Sequence, residues 1–136
     1  MPWKSNAQAA KYYGIATSAY KDLVKIALAA RYYGVISETW PLPGSRNGCD
    51  LRLWGRKLQY TVRLDWDRQR MTLMALPLDS KLGNSPGVEL YTWKFYQNDY
   101  FGDCCAMLFR QEGIPVGCVC DDPEFERKWN SEHAQY

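Results

Sequence analysis

Five cysteines and one histidine are the residues of this sequence whose chemistry suits nucleophilic catalysis or metal binding. The cysteines comprise an adjacent pair, a pair separated by one residue, and one isolated residue: Cys104, Cys105, Cys118, Cys120 and Cys49. A thiol becomes an effective nucleophile when its pKa is lowered, and the N-terminus of a helix lowers it. Because Asp103 is a typical helix N-cap, the sequence predicts a helix that begins at Cys104 and favours its thiolate.

The segment DCCAMLFRQEGIPVG at 103–117 resembles the region around the nucleophilic cysteine of NlpC/P60 peptidases. In that family an Asp-Cys pair opens a helix and an RQ-x-GI ending closes it, so the resemblance implies thiol peptidase chemistry at Cys104. The family places its histidine on a strand further downstream, whereas His133 follows Cys104 by 29 residues with no such strand after it. We therefore predict that the chain is not an enzyme, with peptidase-like chemistry at Cys104 as the alternative.

A metal site is the second chemistry that the cysteines allow. Cys118 and Cys120 would share one face of a strand, with Cys104, Cys105 or His133 as further ligands. Structural zinc sites use a C-x-x-C spacing, which neither cysteine pair has. Since cysteine outside disulfides is usually a small buried hydrophobic residue, we expect no metal and no cofactor.

The run NAQAAKYYGIATSAYKDLVKI at 6–26 resembles the DNA-binding helix-turn-helix of phage repressors. Ala10 stands where the two helices of the motif meet closely, and Gly14 stands where the chain turns. The positions that the motif keeps apolar hold Tyr13, Ile15, Tyr20 and Leu23. The resemblance implies that the second helix faces DNA with four residues: Thr17, Ser18, Lys21 and Lys25.

A winged form of this motif would bring basic residues of the following region near phosphates: Arg46, Arg52, Arg56, Lys57 and Arg63. An ordinary helical hairpin that makes no DNA contact explains the same 6–26 pattern. Both interpretations stay open at the level of the sequence.

The elements that position these residues begin with a repeated helix-ending signal, AAKYYGI at 9–15 and AARYYGV at 29–35. In both copies a glycine stands where the chain needs a positive φ after a helix, and an apolar residue follows it. RQEGI at 110–114 is a third copy. The signals predict helices at about 6–13, 18–33 and 104–112. The expected N-caps are Ser5 with Gln8 at capping-box spacing, Thr17 or Ser18, and Asp103.

The middle of the sequence changes to a period of two, most clearly at 58–66, which predicts a strand. Further strands are predicted near 51–54, 70–77, 88–96 and 115–120, whereas the Pro/Gly/Ser-rich residues 36–49 predict a loop. Asp122 and Pro123 predict the start of a last helix. The predicted fold is α+β in a single domain, 1–136. It comprises an N-terminal helical hairpin (1–35), an antiparallel sheet of about four strands (50–97) and a helix-strand-helix segment with closing C-terminal helices (103–136).

Charge and composition favour binding to partners. Residues 1–70 hold twelve Lys/Arg and five Asp/Glu, and residues 71–136 hold five and ten. The basic region 46–70 would meet an acidic partner or RNA, unless the two halves neutralise each other. Ten Tyr and six Trp exceed what a small core needs, and both residue types favour interfaces. The odd number of cysteines and the lack of an apolar signal segment favour a reducing intracellular compartment, the cytoplasm or the mitochondrial matrix. No apolar run approaches the ~20 residues of a membrane span.

We therefore predict a non-catalytic protein–protein interaction protein. It would be an accessory subunit of a larger intracellular or organellar assembly, or a small inhibitor that docks on one. The second helix is apolar around most of its circumference, so we expect it to pack on more than one side. The predicted partner contacts are Tyr12, Tyr13, Leu23, Ile26, Tyr32, Tyr33 and Trp93. The alternative is a helix-turn-helix DNA-binding regulator of phage or bacterial type that binds through Thr17, Ser18, Lys21, Lys25, Arg52, Arg56 and Lys57.

Overall fold

The structure is a computed structural model that describes residues 5–34, 36–43, 47–79, 87–95, 100–113 and 122–132. Within these residues, four helices and five strands follow one another as α1 (Asn6–Tyr13), α2 (Thr17–Tyr32), β1 (Ile36–Pro43), β2 (Gly48–Gly55), β3 (Leu58–Asp65), β4 (Arg70–Pro77), β5 (Val88–Lys94), α3 (Tyr100–Gln111) and α4 (Pro123–Glu132). The strands form one antiparallel sheet in the order β1-β2-β3-β4-β5. The predicted α+β class, with helices before and after a central sheet, is confirmed.

The repeated glycine signal ends helices as predicted. Gly14, Gly34 and Gly113 all have φ near 70°. After α1, the N–H of Ile15 donates to the carbonyl of Ala10 at 3.0 Å, which closes the helix end. At the other end of α1, the hydroxyl of Ser5 accepts a hydrogen bond from the N–H of Gln8 at 3.2 Å, which confirms the predicted cap.

Two predicted N-caps are wrong. The N-cap position of α2 is Ala16, which offers no side-chain hydrogen bond, and Thr17 is already the first helical residue. α3 begins at Tyr100, so Asp103 lies in its first turn rather than before it. An acid in the first turn still interacts favourably with the helix dipole, which explains why Asp103 resembled a start signal.

The predicted loop at 36–49 is wrong, because most of it is strand. β1 covers Ile36–Pro43 and pairs antiparallel with β2, which gives the sheet five strands. Pro41 and Pro43 are tolerated because β1 lies at an edge of the sheet. The two prolines are two residues apart, so the positions at which the backbone lacks an N–H group lie on the same side of the strand. The predicted strand at 115–120 lies outside the described residues.

α2 is the central helix of the fold, and it contacts α1, α3, α4, β1 and β2. Its buried side chains are Ala19, Tyr20, Leu23, Ile26, Ala29 and Ala30. One face of the sheet completes the core with Cys49, Leu51, Leu53, Tyr60, Val62, Leu64, Met71, Leu73 and Trp93. The prediction that this helix packs on more than one side is therefore confirmed.

Glu112 ties the C-terminal end of α3 to the turn between β2 and β3. Its carboxylate accepts hydrogen bonds from three consecutive backbone N–H groups, those of Arg56 at 2.6 Å, Lys57 at 3.2 Å and Leu58 at 3.3 Å. The hydroxyl of Tyr60 donates to the same carboxylate at 2.5 Å. A Cβ at Gly55 would lie 2.6 Å from the carboxyl carbon of Glu112, so the approach requires glycine. Glu112 is 3% exposed and fixes where α3 ends.

α4 is held against α2 by the Tyr33–Asp122 hydrogen bond, by the Lys25–Glu126 ion pair and by an apolar side. Asp122 caps α4 as predicted, since its carboxylate accepts from the N–H groups of Glu124 at 3.0 Å and Phe125 at 3.2 Å. The hydroxyl of Tyr33 also donates to Asp122, and this hydrogen bond holds the pKa of the Asp122 carboxyl below its ordinary value. The apolar side of α4 buries Phe125 and Trp129.

Candidate functional site

A cleft of about 210 Å³ lies between β5 and α3. Its lining combines two aromatic residues of the strand with one side of the helix: Tyr91, Trp93, Asp103, Ala106, Met107 and Arg110. Pockets that hold small molecules usually measure about 300–1,000 Å³. The cleft is smaller, and its size suits one or two apolar side chains better than a whole ligand.

The strand side of the cleft is a pair of aromatic rings. Tyr91 and Trp93 are two residues apart on β5, so both point to the sheet face that carries the core. Their ring centroids are 4.9 Å apart and their planes are inclined by 50°. Trp93 is 2% exposed and lies opposite Met71, whereas Tyr91 is 48% exposed and lies opposite Leu73. Tyr91 therefore extends the apolar core to the surface.

The helix side of the cleft is a straight stripe along α3. Asp103, Ala106, Met107 and Arg110 follow the spacing i, i+3, i+4, i+7, which lines up side chains on one side of a helix. The opposite side of α3 is buried and holds Cys104, Cys105, Leu108 and Phe109. Seven residues of helix separate the acid and the base by about 10 Å. Asp103 and Arg110 form no hydrogen bond or ion pair with each other or with any other side chain that the structure describes.

Cys104 does not have the environment that a nucleophile needs. It is completely buried, and burial together with the neighbouring charge of Asp103 raises the pKa of its thiol to about 12. Because α3 begins at Tyr100, Cys104 lies beyond the first turn, and the predicted lowering of its pKa by a helix N-terminus is wrong. His133, the base considered in the sequence, lies outside the described residues.

Metal ligands do not converge within the part of the chain that the structure describes. No group of three or more His, Cys, Asp or Glu side chains there could hold a metal ion. Cys49, Cys104 and Cys105 are buried thiols that form no disulfide. Cys118 and Cys120, the central pair of the candidate metal site, lie outside the described residues.

The α1–α2 hairpin reproduces the apolar pattern of the helix-turn-helix. Ala10 is buried where the helices meet, Gly14 turns the chain, and the apolar positions of the motif, Tyr13, Ile15, Tyr20 and Leu23, are all buried. Among the residues expected to face DNA, Ser18 is exposed, and Thr17 and Lys21 are half-buried. An ordinary helical hairpin would show the same burial, so the pattern does not separate the two interpretations.

Lys25 is the exception among the residues expected to face DNA. Its ammonium group forms an ion pair with Glu126 of α4 at 2.7 Å and lies 5.8 Å from the ring centre of Trp129. Its side chain is only 17% exposed. Lys25 therefore holds α4 in place and is not available to a phosphate.

The residues of the predicted wing are dispersed along β2 and β3. Arg52 donates to the hydroxyl of Thr61 at 2.8 Å, and Arg63 forms a two-bond pair with Asp50 at 2.9 and 3.0 Å. Arg56 and Lys57 are exposed at the turn that Glu112 organises. Arg46 lies outside the described side chains.

Most of the predicted partner contacts belong to the core of the chain itself. Tyr13, Leu23, Ile26 and Trp93 are buried, so a partner does not reach the first three, and it reaches Trp93 only through the cleft. Tyr32 and Tyr33 are half-buried and pack on Phe125, with ring centroids 5.6 and 6.2 Å from it. Tyr12 is the predicted contact that stands clear of the core, with 62% of its surface exposed.

The sequence interpretation missed the other cleft residues, which are Tyr91, Asp103, Ala106, Met107 and Arg110 as a set. The spacing of Tyr91 and Trp93 on one face of a strand was a usable signal, and so was the i, i+3, i+4, i+7 stripe of α3. What the sequence does not contain is the juxtaposition of the two, because it arises from packing.

Comparison of this chain with protein family models, with curated proteins and with solved structures finds no match. Within the described residues, no helix combines the length and the apolar character needed to cross a membrane.

Proposed function

We propose that this chain is a non-catalytic protein-binding module that docks through the cleft between β5 and α3. In the cell it serves as an accessory subunit of a larger intracellular or organellar assembly, or as a small inhibitor that docks on one. The observation that carries the proposal is the half-exposed Tyr91, whose ring lies beside that of the buried Trp93 and across the cleft from Met107. Tyrosine, tryptophan and methionine are among the residue types enriched at protein interfaces.

The energetics of this arrangement favour a protein partner. An apolar side chain that enters the cleft covers the side chains of Tyr91 and Met107, and no charged group has to be buried in the core for this. Truncating an aromatic residue at the centre of an interface typically costs about 2 kcal/mol or more, which is about a thirtyfold loss of affinity. Tyr91 has the size and exposure to act in that way.

The buried thiols support the compartment. Cys49, Cys104 and Cys105 form no disulfide and contribute to the core as small apolar residues. A reducing compartment keeps such thiols unmodified. The cytoplasm and the mitochondrial matrix both meet this condition.

The test is a pull-down of the tagged full chain from its source cells, with and without nuclease, in which proteins are identified by mass spectrometry. Wild type is compared with Tyr91→Ala and Met107→Lys, and Leu78→Ala serves as the control because Leu78 is an exposed apolar residue outside the cleft. We expect a stoichiometric set of proteins that survives nuclease, binds the control and is lost from both cleft variants.

Two results would contradict the proposal. One is a partner set that all variants capture equally, which would move the contact elsewhere. Loss on Tyr12→Ala would then assign it to α1, where Tyr12 is 62% exposed. The other is recovery dominated by nucleic acid and abolished by nuclease, which would favour the helix-turn-helix alternative.

A further inference from the structure

We infer that the segment bound in the cleft is an amphipathic helix, antiparallel to α3, that carries an acidic residue, an apolar residue and a basic residue at the spacing i, i+3 or i+4, and i+7. This inference rests on the proposed function and specifies its partner. Three features of the cleft carry it, namely its shape, its two end charges and the direction of α3.

The shape of the cleft fits a helix that lays one side chain into it. The exposed stripe of α3 is straight and has Ala106 at its centre, where a small side chain lets a second helix approach closely. Helix axes in contact are about 8–10 Å apart, and small residues permit the lower end of that range. Tyr91 forms the second wall, so the groove resembles those that receive the apolar side of an amphipathic helix.

The two charges at the ends of the stripe set the chemistry of the partner. Asp103 and Arg110 have no ion-pair partner among the described side chains. They are about 10 Å apart, which is seven residues of any helix that runs along α3. A partner with a base opposite Asp103 and an acid opposite Arg110 satisfies both charges and keeps its apolar residue over Met107.

The direction follows from the helix dipoles. Asp103 is near the N-terminus of α3 and Arg110 is in its last turn. An antiparallel partner helix meets Arg110 with its N-terminal half and Asp103 with its C-terminal half. Its acid then precedes its base, which is the order that its own dipole favours. A parallel helix would need the reverse order and would align like ends of the two dipoles.

The experiment selects a phage-displayed library of random 16-residue peptides on the immobilised full chain. We expect the enriched peptides to share the order acid, apolar residue, base with the stated spacing. A synthetic peptide with the enriched sequence should lose about tenfold in affinity towards Arg110→Glu, measured by fluorescence anisotropy. Changing the acid of that peptide to Lys should restore binding to Arg110→Glu and weaken binding to wild type.

Matched controls separate the site from general charge effects. Arg31→Glu makes the same change of charge in the last turn of α2, on an exposed residue outside the cleft, and it should leave peptide affinity unchanged. A proline in the middle of the peptide should weaken binding at least tenfold, because proline disrupts helices. The inference is overturned by a selection without peptides above background, by the same enriched sequences on Arg110→Glu, or by a proline that has no effect.

The peptide results and the pull-down results together distinguish failure of the helical-partner inference from failure of the proposed function. If cellular partners depend on Tyr91 and Met107 but the peptides ignore Arg110, the cleft binds protein and the helical partner is wrong. If cellular partners ignore Tyr91 and Met107, the proposed function itself is wrong.

Discussion

Replacing Glu112 tests the contact that fixes α3, because this one carboxylate accepts four hydrogen bonds from the β2–β3 hairpin. A hydrogen bond to a charged group contributes about 1.5–3 kcal/mol, and a buried polar group left without a partner costs about 1–3 kcal/mol. Glu112→Ala removes all four acceptor contacts and leaves the Tyr60 hydroxyl buried. Since effects at one site are not additive, we expect a loss of about 3–5 kcal/mol in the free energy of unfolding.

Glu112→Gln is the sharper variant, because it keeps the volume and changes only the acceptor. The amide retains one oxygen, but its NH2 group faces donors that need an acceptor. We expect a loss of about 2–3 kcal/mol, against a total stability of about 5–15 kcal/mol for a domain. At roughly 3–5 °C per kcal/mol, Tm should fall by about 10 °C.

The assay is urea and thermal unfolding followed by circular dichroism and tryptophan fluorescence. Glu89→Gln is the control, since Glu89 is an exposed carboxylate on β5, and a surface change of this kind usually stays within about 0.5 kcal/mol. Two local readouts accompany the stability. The Arg56–Leu58 amides should exchange faster, and the pKa of Tyr60, raised by burial and by its hydrogen bond to Glu112, should fall. A Glu112→Gln protein as stable as the control, with unchanged amide exchange, would refute the reasoning.

Three further predictions concern polar groups inside the fold. Tyr20→Phe should stabilise the protein by about 1 kcal/mol, because the Tyr20 hydroxyl is buried without a hydrogen-bond partner among the described residues. Tyr60→Phe, the matched variant, should destabilise the protein because Glu112 loses a hydrogen-bond donor. Denaturant unfolding compares the stabilities of the two variants, and equal effects of both substitutions would contradict the prediction. The stability that three tyrosines contribute should be level below about pH 10 and fall above it. Burial raises the pKa values of Tyr20, Tyr33 and Tyr60 above the ordinary value for tyrosine, so the unfolded state loses these protons first. A pH series of urea midpoints that keeps rising beyond pH 10 would contradict this sign. Lys25→Glu should destabilise the protein because it places a second acid beside Glu126. The double variant Lys25→Glu with Glu126→Lys should recover part of the lost stability. A double variant that is no more stable than Lys25→Glu alone would show that the pair does not hold α4.

The last of these predictions changes how the DNA-binding alternative should be tested. Charge reversal at Lys25 disturbs the α2–α4 contact, so a loss of DNA binding by that variant would not identify a DNA contact. Lys21→Glu is the informative change, because Lys21 is half-buried on the side of α2 that the motif directs to DNA. Arg127→Glu on α4, an exposed residue, is its charge control.

Local signals in the sequence predicted the parts of the fold that local geometry determines. The glycines that end α1, α2 and α3 and the caps at Ser5 and Asp122 need only neighbouring residues, and the structure has them where the sequence indicated. β1 was missed because its prolines indicate a loop. Prolines are compatible with a strand only at the edge of a sheet, and here the edge position arises because β1 pairs with one partner strand. That partner is β2, which the sequence predicts near 51–54, but no local pattern indicates that the two strands pair.

The candidate site also combines features that local sequence signals predict with features that depend on tertiary packing. Leu23 and Ile26 were expected at an interface because a sequence shows that a residue is apolar, but not which surface covers it. In this fold the covering surface is the chain's own sheet and helices. Trp93 was expected for the same reason and does line the cleft, although its own surface is nearly all buried.

The cleft depends on a residue that does not touch it. Glu112 directly follows α3, and its hydrogen bonds to the β2–β3 turn fix the end of the helix whose last turn holds Arg110. With the buried side of α3, these hydrogen bonds hold the stripe from Asp103 to Arg110 beside Tyr91. Glu112 is therefore a positioning residue for the proposed site. Glu112→Gln should lower the affinity for the selected peptide even at temperatures where the protein is fully folded. In this background, Arg110→Glu combined with a peptide whose acid is changed to Lys should still restore binding. A Glu112→Gln protein with altered hairpin exchange but unchanged peptide affinity would separate the anchor from the cleft.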